Sequence, residues 1–97
     1  MDPEERELVR VYRALGDQTR LAMVRLLARR EEMGCGELAE ALDLTRPTLS
    51  YHTRILEESR LIDVRKEGAY RFYRLRRADV GRWAPAVLGT LKGDIES

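Results

Sequence analysis

Cysteine occurs once in these 97 residues, at Cys35, and histidine once, at His52. A single thiol excludes an intramolecular disulfide. No nucleophile–base–acid set, phosphate-binding glycine loop or paired carboxylate stands out, so no enzyme is expected. No apolar run approaches the length that spans a bilayer. The opening Met1-Asp2-Pro3-Glu4-Glu5 is acidic where a secretory leader would be basic, which points to a cytoplasmic protein. Internal repeats and low-complexity linkers are absent too. A chain of 97 residues fits one domain with a modest core and is marginal for a two-layer enzyme with a deep pocket.

Charge of either sign is plentiful, and its distribution says more than the net +1. Residues 1–45 hold seven basic and ten acidic side chains, a balance of −3. Residues 46–77 hold nine and four, a balance of +5, and residues 78–97 hold two and three, a balance of −1. Positive charge gathered in one segment is the footprint of a nucleic-acid face; a merely solvated surface rarely segregates this way.

That segment begins inside a stretch that organises the chain, residues 36–58, which read as helix, turn, helix. Leu38, Ala39, Ala41 and Leu42 line one face of the first helix. Asp43-Leu44-Thr45 makes the turn, Thr45 caps the second helix, and Pro47 sits in its first turn, where a missing N–H costs nothing. The second helix buries Leu49, Leu56 and Ile55. Arg46, Thr48, Ser50, Tyr51 and Arg54 remain on its outer surface, with no acid before Glu57. Such a helix suits a polyanion, and its arginine, serine and tyrosine side chains reach base edges in a major groove. This is a helix-turn-helix signal with a recognition helix second.

In front of it, residues 3–15 form a helix with Leu8, Val11, Tyr12 and Leu15 as a stripe, ended by Gly16. It can cover its own domain or pack on a second copy of the chain. Asp17 caps a helix over 18–30 that is apolar over most of its circumference through Leu21, Met23, Val24, Leu26 and Leu27, as a central helix would be. Behind the recognition helix, residues 61–75 give two β-prone runs around Glu67-Gly68, with Ile62 and Val64 inward on the first. On the second, either Tyr73 and Leu75 face inward and bring Arg71 with them, or Tyr70 and Phe72 do; the first arrangement is favoured. A basic hairpin in that place is the wing of a winged helix, with Arg65 and Lys66 near its tip to meet phosphates or a minor groove. In residues 78–92, Val80, Trp83, Val87, Leu88 and Leu91 recur at helical spacing. An apolar stripe following a complete small domain reads as a dimer surface. Pro85 should kink or restart that helix near 84–85. The expected fold is mainly α with a small β-hairpin, about five helices plus the wing, in one domain over residues 1–97.

Ala14-Leu15-Gly16-Asp17-Gln18-Thr19-Arg20-Leu21, Glu37-Leu38-Ala39-Glu40-Ala41-Leu42, Leu49-Ser50-Tyr51-His52-Thr53-Arg54-Ile55-Leu56, Arg65-Lys66-Glu67-Gly68 and Tyr73-Arg74-Leu75 together resemble the ArsR/SmtB winged-helix repressors, in unbroken order over roughly residues 10–77. The resemblance implies a homodimer joined through its first and last helices, residues 1–15 and 78–97, which binds a palindromic DNA operator and represses transcription until a signal releases it. It assigns Arg46, Ser50 and Tyr51 to base and phosphate contacts and Arg65 and Lys66 to the wing. Departures from the family pattern matter as well. Where metal-sensing members place a cysteine pair, this chain has Gly34-Cys35-Gly36. On the last helix Asp79 is present, but Gly81, Lys92 and Ile95 stand where further ligands would follow. Zinc needs three or four converging ligands, so no metal and no cofactor is expected. Thr53 replaces a usual leucine, and Arg60 a usual glycine at the end of the recognition helix.

The DNA-contacting set is therefore Thr45, Arg46, Thr48, Ser50, Tyr51, His52, Arg54, Arg65 and Lys66, and the dimer set is Leu8, Val11, Tyr12, Val80, Trp83, Val87, Leu88 and Leu91. His52 is read as bonding a backbone or phosphate oxygen rather than as a pH switch. Trp83 is read as a dimer-core residue rather than part of a ligand pocket. Cys35 has two roles open to it, a small residue opening a helix or a sensor of oxidation or alkylation. Alternatives to a DNA-binding repressor are a protein-interaction winged helix, and a redox- or small-molecule-responsive regulator. No inducer can be named from the residues.

Overall fold

The computed structural model of the chain describes residues 1–89. Five helices and three strands follow in order: α1 (Pro3–Leu15), α2 (Gln18–Ala28), β1 (Met33–Gly34), α3 (Cys35–Leu42), α4 (Arg46–Glu58), β2 (Ile62–Glu67), β3 (Tyr70–Leu75) and α5 (Arg77–Trp83). Residues 85–89 are again helical.

Local chemistry sets most of these boundaries. Asp2 accepts from the Glu5 amide at 2.8 Å with Pro3 in the first turn, and Asp17 accepts from the Arg20 amide at 3.0 Å, so each helix starts on a carboxylate cap. Gly16 ends α1 where a Cβ would come 3.1 Å from the Tyr12 carbonyl. Asp43 closes α3 in the left-handed region at φ 54°, a conformation aspartate tolerates better than most residues. Arg60 takes the same region at φ 59°, where the family pattern has glycine. The strain costs about 1 kcal/mol, and in return the Leu61 amide closes on the Leu56 carbonyl at 3.0 Å. Pro85 acts as expected: α5 stops at Trp83, Ala84 leaves helical geometry at φ −146°, and the helix restarts.

The hairpin joins β2 to β3 with Ile62 opposite Leu75, Val64 opposite Tyr73 and Lys66 opposite Arg71. Tyr73 and Leu75 are buried, as expected. The turn lies one residue later than expected, at Gly68 and Ala69, with Gly68 at φ +62°. A third strand was not expected. Met33 and Gly34 pair with Tyr73 and Phe72, so the sheet runs β1-β3-β2 and pins the α2–α3 connection to the base of the wing.

One apolar cluster includes residues from every element. Met23, Val24 and Leu27 of α2 lie at its centre with Leu38, Leu49, Leu56, Leu61 and Ile62. Val11, Val80 and Val87 belong to it as well, which corrects their assignment to a dimer surface: within one chain they are already buried. Residues 80–87 thus have a place in the small core. Tyr12 donates its hydroxyl to the Trp83 carbonyl at 3.0 Å, and Arg82 pairs with Glu4 at 2.9 Å, so α1 and α5 meet inside the protomer. Leu8, Tyr12, Trp83 and Leu88 keep exposed surface. Leu91, Lys92 and Ile95 lie outside the described residues.

Candidate nucleic-acid interface

Residues 35–58 form the expected helix-turn-helix. Thr45 caps α4, accepting from the Thr48 amide at 3.4 Å and donating its hydroxyl to Thr48 Oγ1 at 3.0 Å. Its buried side is Leu49, His52, Thr53 and Leu56, spaced i, i+3, i+4 and i+7. Thr45, Arg46, Thr48, Tyr51 and Arg54 are exposed on the other side, Tyr51 at 57%, with Ser50 half-buried. Along this surface no carboxylate intervenes before Glu57, so the dipole and the two arginines act unopposed. Arg46 reaches back over α3, its Nη1 donating to Cys35 Sγ at 3.1 Å. A Cβ on Gly36 would come 3.3 Å from the same guanidinium.

His52 does not join that surface. It is only 9% exposed, with Nδ1 3.1 Å from Arg20 Nη1 and 3.9 Å from an Asp17 carboxylate oxygen. The expected nucleic-acid contact is therefore corrected: its imidazole points into the α1–α2 corner. Thr53, in the place of the usual leucine, is buried and donates its hydroxyl to the Ser50 carbonyl at 3.3 Å.

Arg65 is also engaged elsewhere. Its guanidinium holds both carboxylate oxygens of Glu32 at 3.0 Å, reaches Glu67 at 3.0 Å and lies 4.4 Å from the Phe72 ring centre. Both partners are shifted by the contact: the hydrogen bonds hold the Glu32 carboxyl below its ordinary value and raise the guanidinium further. Arg65 thus anchors the wing instead of standing free near its tip. The outer wing belongs to Lys66 and Arg71, exposed and directly opposite each other across the strands. Two like charges facing across a pair repel, a cost that a polyanion would relieve. Arg71 was missed in the sequence because its partner follows only from the hairpin register.

Two further arginines of the basic segment serve the fold. Arg76 pairs with Asp79 at 2.9 Å and Asp63 at 3.2 Å, and Arg77 donates to the Ala28 carbonyl at 2.8 Å, satisfying the end of α2. Among the described residues no three histidine, cysteine or acidic side chains converge as metal ligands, and the thiol of Cys35 has a cation as its neighbour. No helix among the described residues is long and apolar enough to cross a membrane.

A helix-turn-helix with an acid-free outer face, followed by a basic hairpin, defines a winged-helix DNA-binding protein. Comparison with known proteins agrees. Residues 15–65 match the model of a helix-turn-helix domain family. The chain is 34% identical over 82 residues to the HTH-type transcriptional regulator YceK of Bacillus subtilis, covering 84% of this chain and 82% of that one. It is 35% identical over 80 residues to the arsenical resistance operon repressor of Escherichia coli K12, covering 82% and 68%. It also superposes on the homodimeric winged helix-turn-helix DNA-binding domain of a possible ArsR-family regulator from Mycobacterium bovis. That match has a TM-score of 0.76 and 25% identity, and it covers 99% of this chain and 87% of that one. The chain belongs to the ArsR/SmtB family of winged helix-turn-helix transcriptional regulators, which are DNA-binding proteins and not enzymes.

Proposed function

We propose that residues 1–97 act as one winged-helix domain that represses transcription in the cytoplasm as a homodimer on a palindromic operator. The carrying observation is the two-sidedness of α4: Leu49, His52, Thr53 and Leu56 are buried, while Thr45, Arg46, Thr48, Tyr51 and Arg54 project outward with no acid among them. These five, with Ser50 at the edge, read bases and phosphates, and Lys66 with Arg71 contacts the flanking backbone. Leu8, Tyr12, Trp83 and Leu88 form the dimer face with Leu91. The dimer sets two recognition helices in successive major grooves roughly 34 Å apart. Selection of bound fragments from genomic DNA, followed by mobility shifts at rising salt, tests this. A palindromic site bound with a steep salt dependence is expected. A monomer with no preference among duplexes would favour the protein-interaction alternative.

A second reading, regulation by oxidation of Cys35, is favoured by one contact, the 3.1 Å approach of Arg46 Nη1 to Sγ. It places the thiol against a side chain proposed to touch DNA.

A further inference from the structure

Arg20 is where three elements of the chain converge. Its Nε donates to the Ala14 carbonyl at 2.6 Å and its Nη2 to the Arg13 carbonyl at 3.5 Å, both in the last turn of α1. Its Nη1 lies 3.1 Å from His52 Nδ1, on the inner side of α4. Asp17, which caps α2 through the Arg20 amide, stands 3.9 Å from the same imidazole nitrogen. A guanidinium has no acceptor, so the N–H of Arg20 donates and His52 Nδ1 accepts. That contact is made by the tautomer that leaves Nδ1 free to accept. Its ring also meets the Tyr51 ring edge-on, with centroids 5.0 Å apart.

We propose that Arg20 and His52 are positioning residues for base readout, fixing the rotation of α4 against α1 without touching DNA. The inference rests on α4 being the helix that reads bases. Leu49 and Leu56 hold α4 to the core through apolar burial, which is non-directional and tolerates rotation of a helix about its axis. A hydrogen bond into Nδ1 does not tolerate it. Because His52 follows Ser50 and Tyr51 and comes two residues before Arg54, fixing its imidazole fixes the direction in which those outer side chains leave the helix. The other end of the link matters equally. Arg20 grips the last carbonyls of α1, the helix that carries Leu8 and Tyr12 to the proposed dimer face. The angle between the two recognition helices of a dimer is thereby tied to its subunit contact through one side chain.

His52→Asn and His52→Leu separate positioning from packing, since the amide oxygen of asparagine can accept near the place of Nδ1 and leucine fills space without an acceptor. Affinity is measured for a duplex selected by the wild-type chain and for a scrambled duplex at one salt concentration, with thermal melts and sedimentation as controls. His52→Leu should lose about tenfold on the selected duplex and less than about twofold on the scrambled one. His52→Asn should recover most of the difference. Arg20→Ala should reproduce His52→Leu, and the double variant should be no worse than either alone, as expected for one shared interaction. If His52→Leu does not melt cooperatively, Arg20→Lys carries the test, because an ammonium cannot fork to both α1 and His52. A folded, dimeric His52→Leu or Arg20→Lys that discriminates like the wild type overturns the inference alone. Equal impairment of the Asn and Leu variants on both duplexes does the same. A wild-type chain that does not discriminate overturns the base-reading role of α4 and this inference together.

Discussion

Arg65 of the wing closes on Glu32, 33 positions earlier in the chain, through two hydrogen bonds of 3.0 Å each. Together with the pairing of Met33 to Tyr73, this clasp fixes the angle at which the hairpin leaves the domain. It also makes the wing sensitive to acid. Arg65 holds the Glu32 carboxyl below its ordinary value of 4.5. A carboxyl depressed in the folded state contributes stability that is complete above that ordinary value and is lost as pH falls through the folded one. Asp17, lowered from 3.8 chiefly by the Arg20 amide, behaves alike. Glu32→Gln should therefore be less stable than the wild type near neutrality and converge with it in acid. Urea midpoints measured from about pH 3 to pH 7 check this; parallel curves would remove the clasp from the account.

Lys66 and Arg71 face each other on the outer wing, off the proposed recognition helix. Their substitution by alanine should weaken cognate and random duplexes by the same factor, roughly threefold each at moderate salt. Each should also flatten the dependence of log affinity on log salt by about one. A loss confined to the cognate duplex would mean that the wing reads sequence.

Arg46 and Tyr51 should behave in the opposite way. Alanine at either position should cost about 1–3 kcal/mol on the selected site and much less on random DNA. Competition between single-base variants of the site would locate the relaxed positions. Uniform losses across those variants would reduce both residues to phosphate contacts.

How much of this was legible in advance depended on whether the signal was local. Asp17 and Thr45 as caps, Gly16 and Pro85 as breaks, and the alternation of Tyr73 with Leu75 all act over a few residues, and all were readable. His52 was misread for an instructive reason. Positions 49, 52, 53 and 56 lie at i, i+3, i+4 and i+7, so spacing alone placed it on the buried face; only its polarity argued otherwise. The strand at Met33–Gly34 is too short to carry any period and exists because β3 offers it an edge. Arg65 could not be told from a free wing cation without knowing where Glu32 lies. Nor does an apolar stripe in a sequence say whether it covers its own core or a partner's.

An oxidation-sensing Cys35 would act through Arg46. Conversion of the thiol to a sulfenic acid adds an oxygen that can accept from the guanidinium 3.1 Å away and hold it over α3. Peroxide should then weaken operator binding about as much as Arg46→Ala does, reversibly with a thiol reductant, while Cys35→Ser should not respond. Mobility shifts with and without peroxide decide it. Equal response of the two proteins would assign the effect to another residue.

Val80 and Trp83 sit one turn apart on α5 and separate the two uses of the chain's last segment. Val80 is fully buried within the protomer, whereas Trp83 is partly exposed beside Tyr12, with Arg82 4.6 Å from its ring centre. Val80→Ala removes core volume that one chain has already closed over, so it should cost about 2 kcal/mol whether or not a partner is present. The loss should be the same at low and high protein concentration. Trp83→Ala should instead weaken association, because large aromatics dominate interface energetics when a partner buries them. Its effect on the melting midpoint should therefore grow with protein concentration, as linkage to dimer formation requires. Sedimentation should show the Trp83 variant dissociating at concentrations where the Val80 variant remains dimeric. If both variants dissociate together, α5 acts as a single interface element and burial within the protomer does not distinguish its residues. If neither does, the dimer face must be sought away from α5, around Leu8, Tyr12 and Leu88.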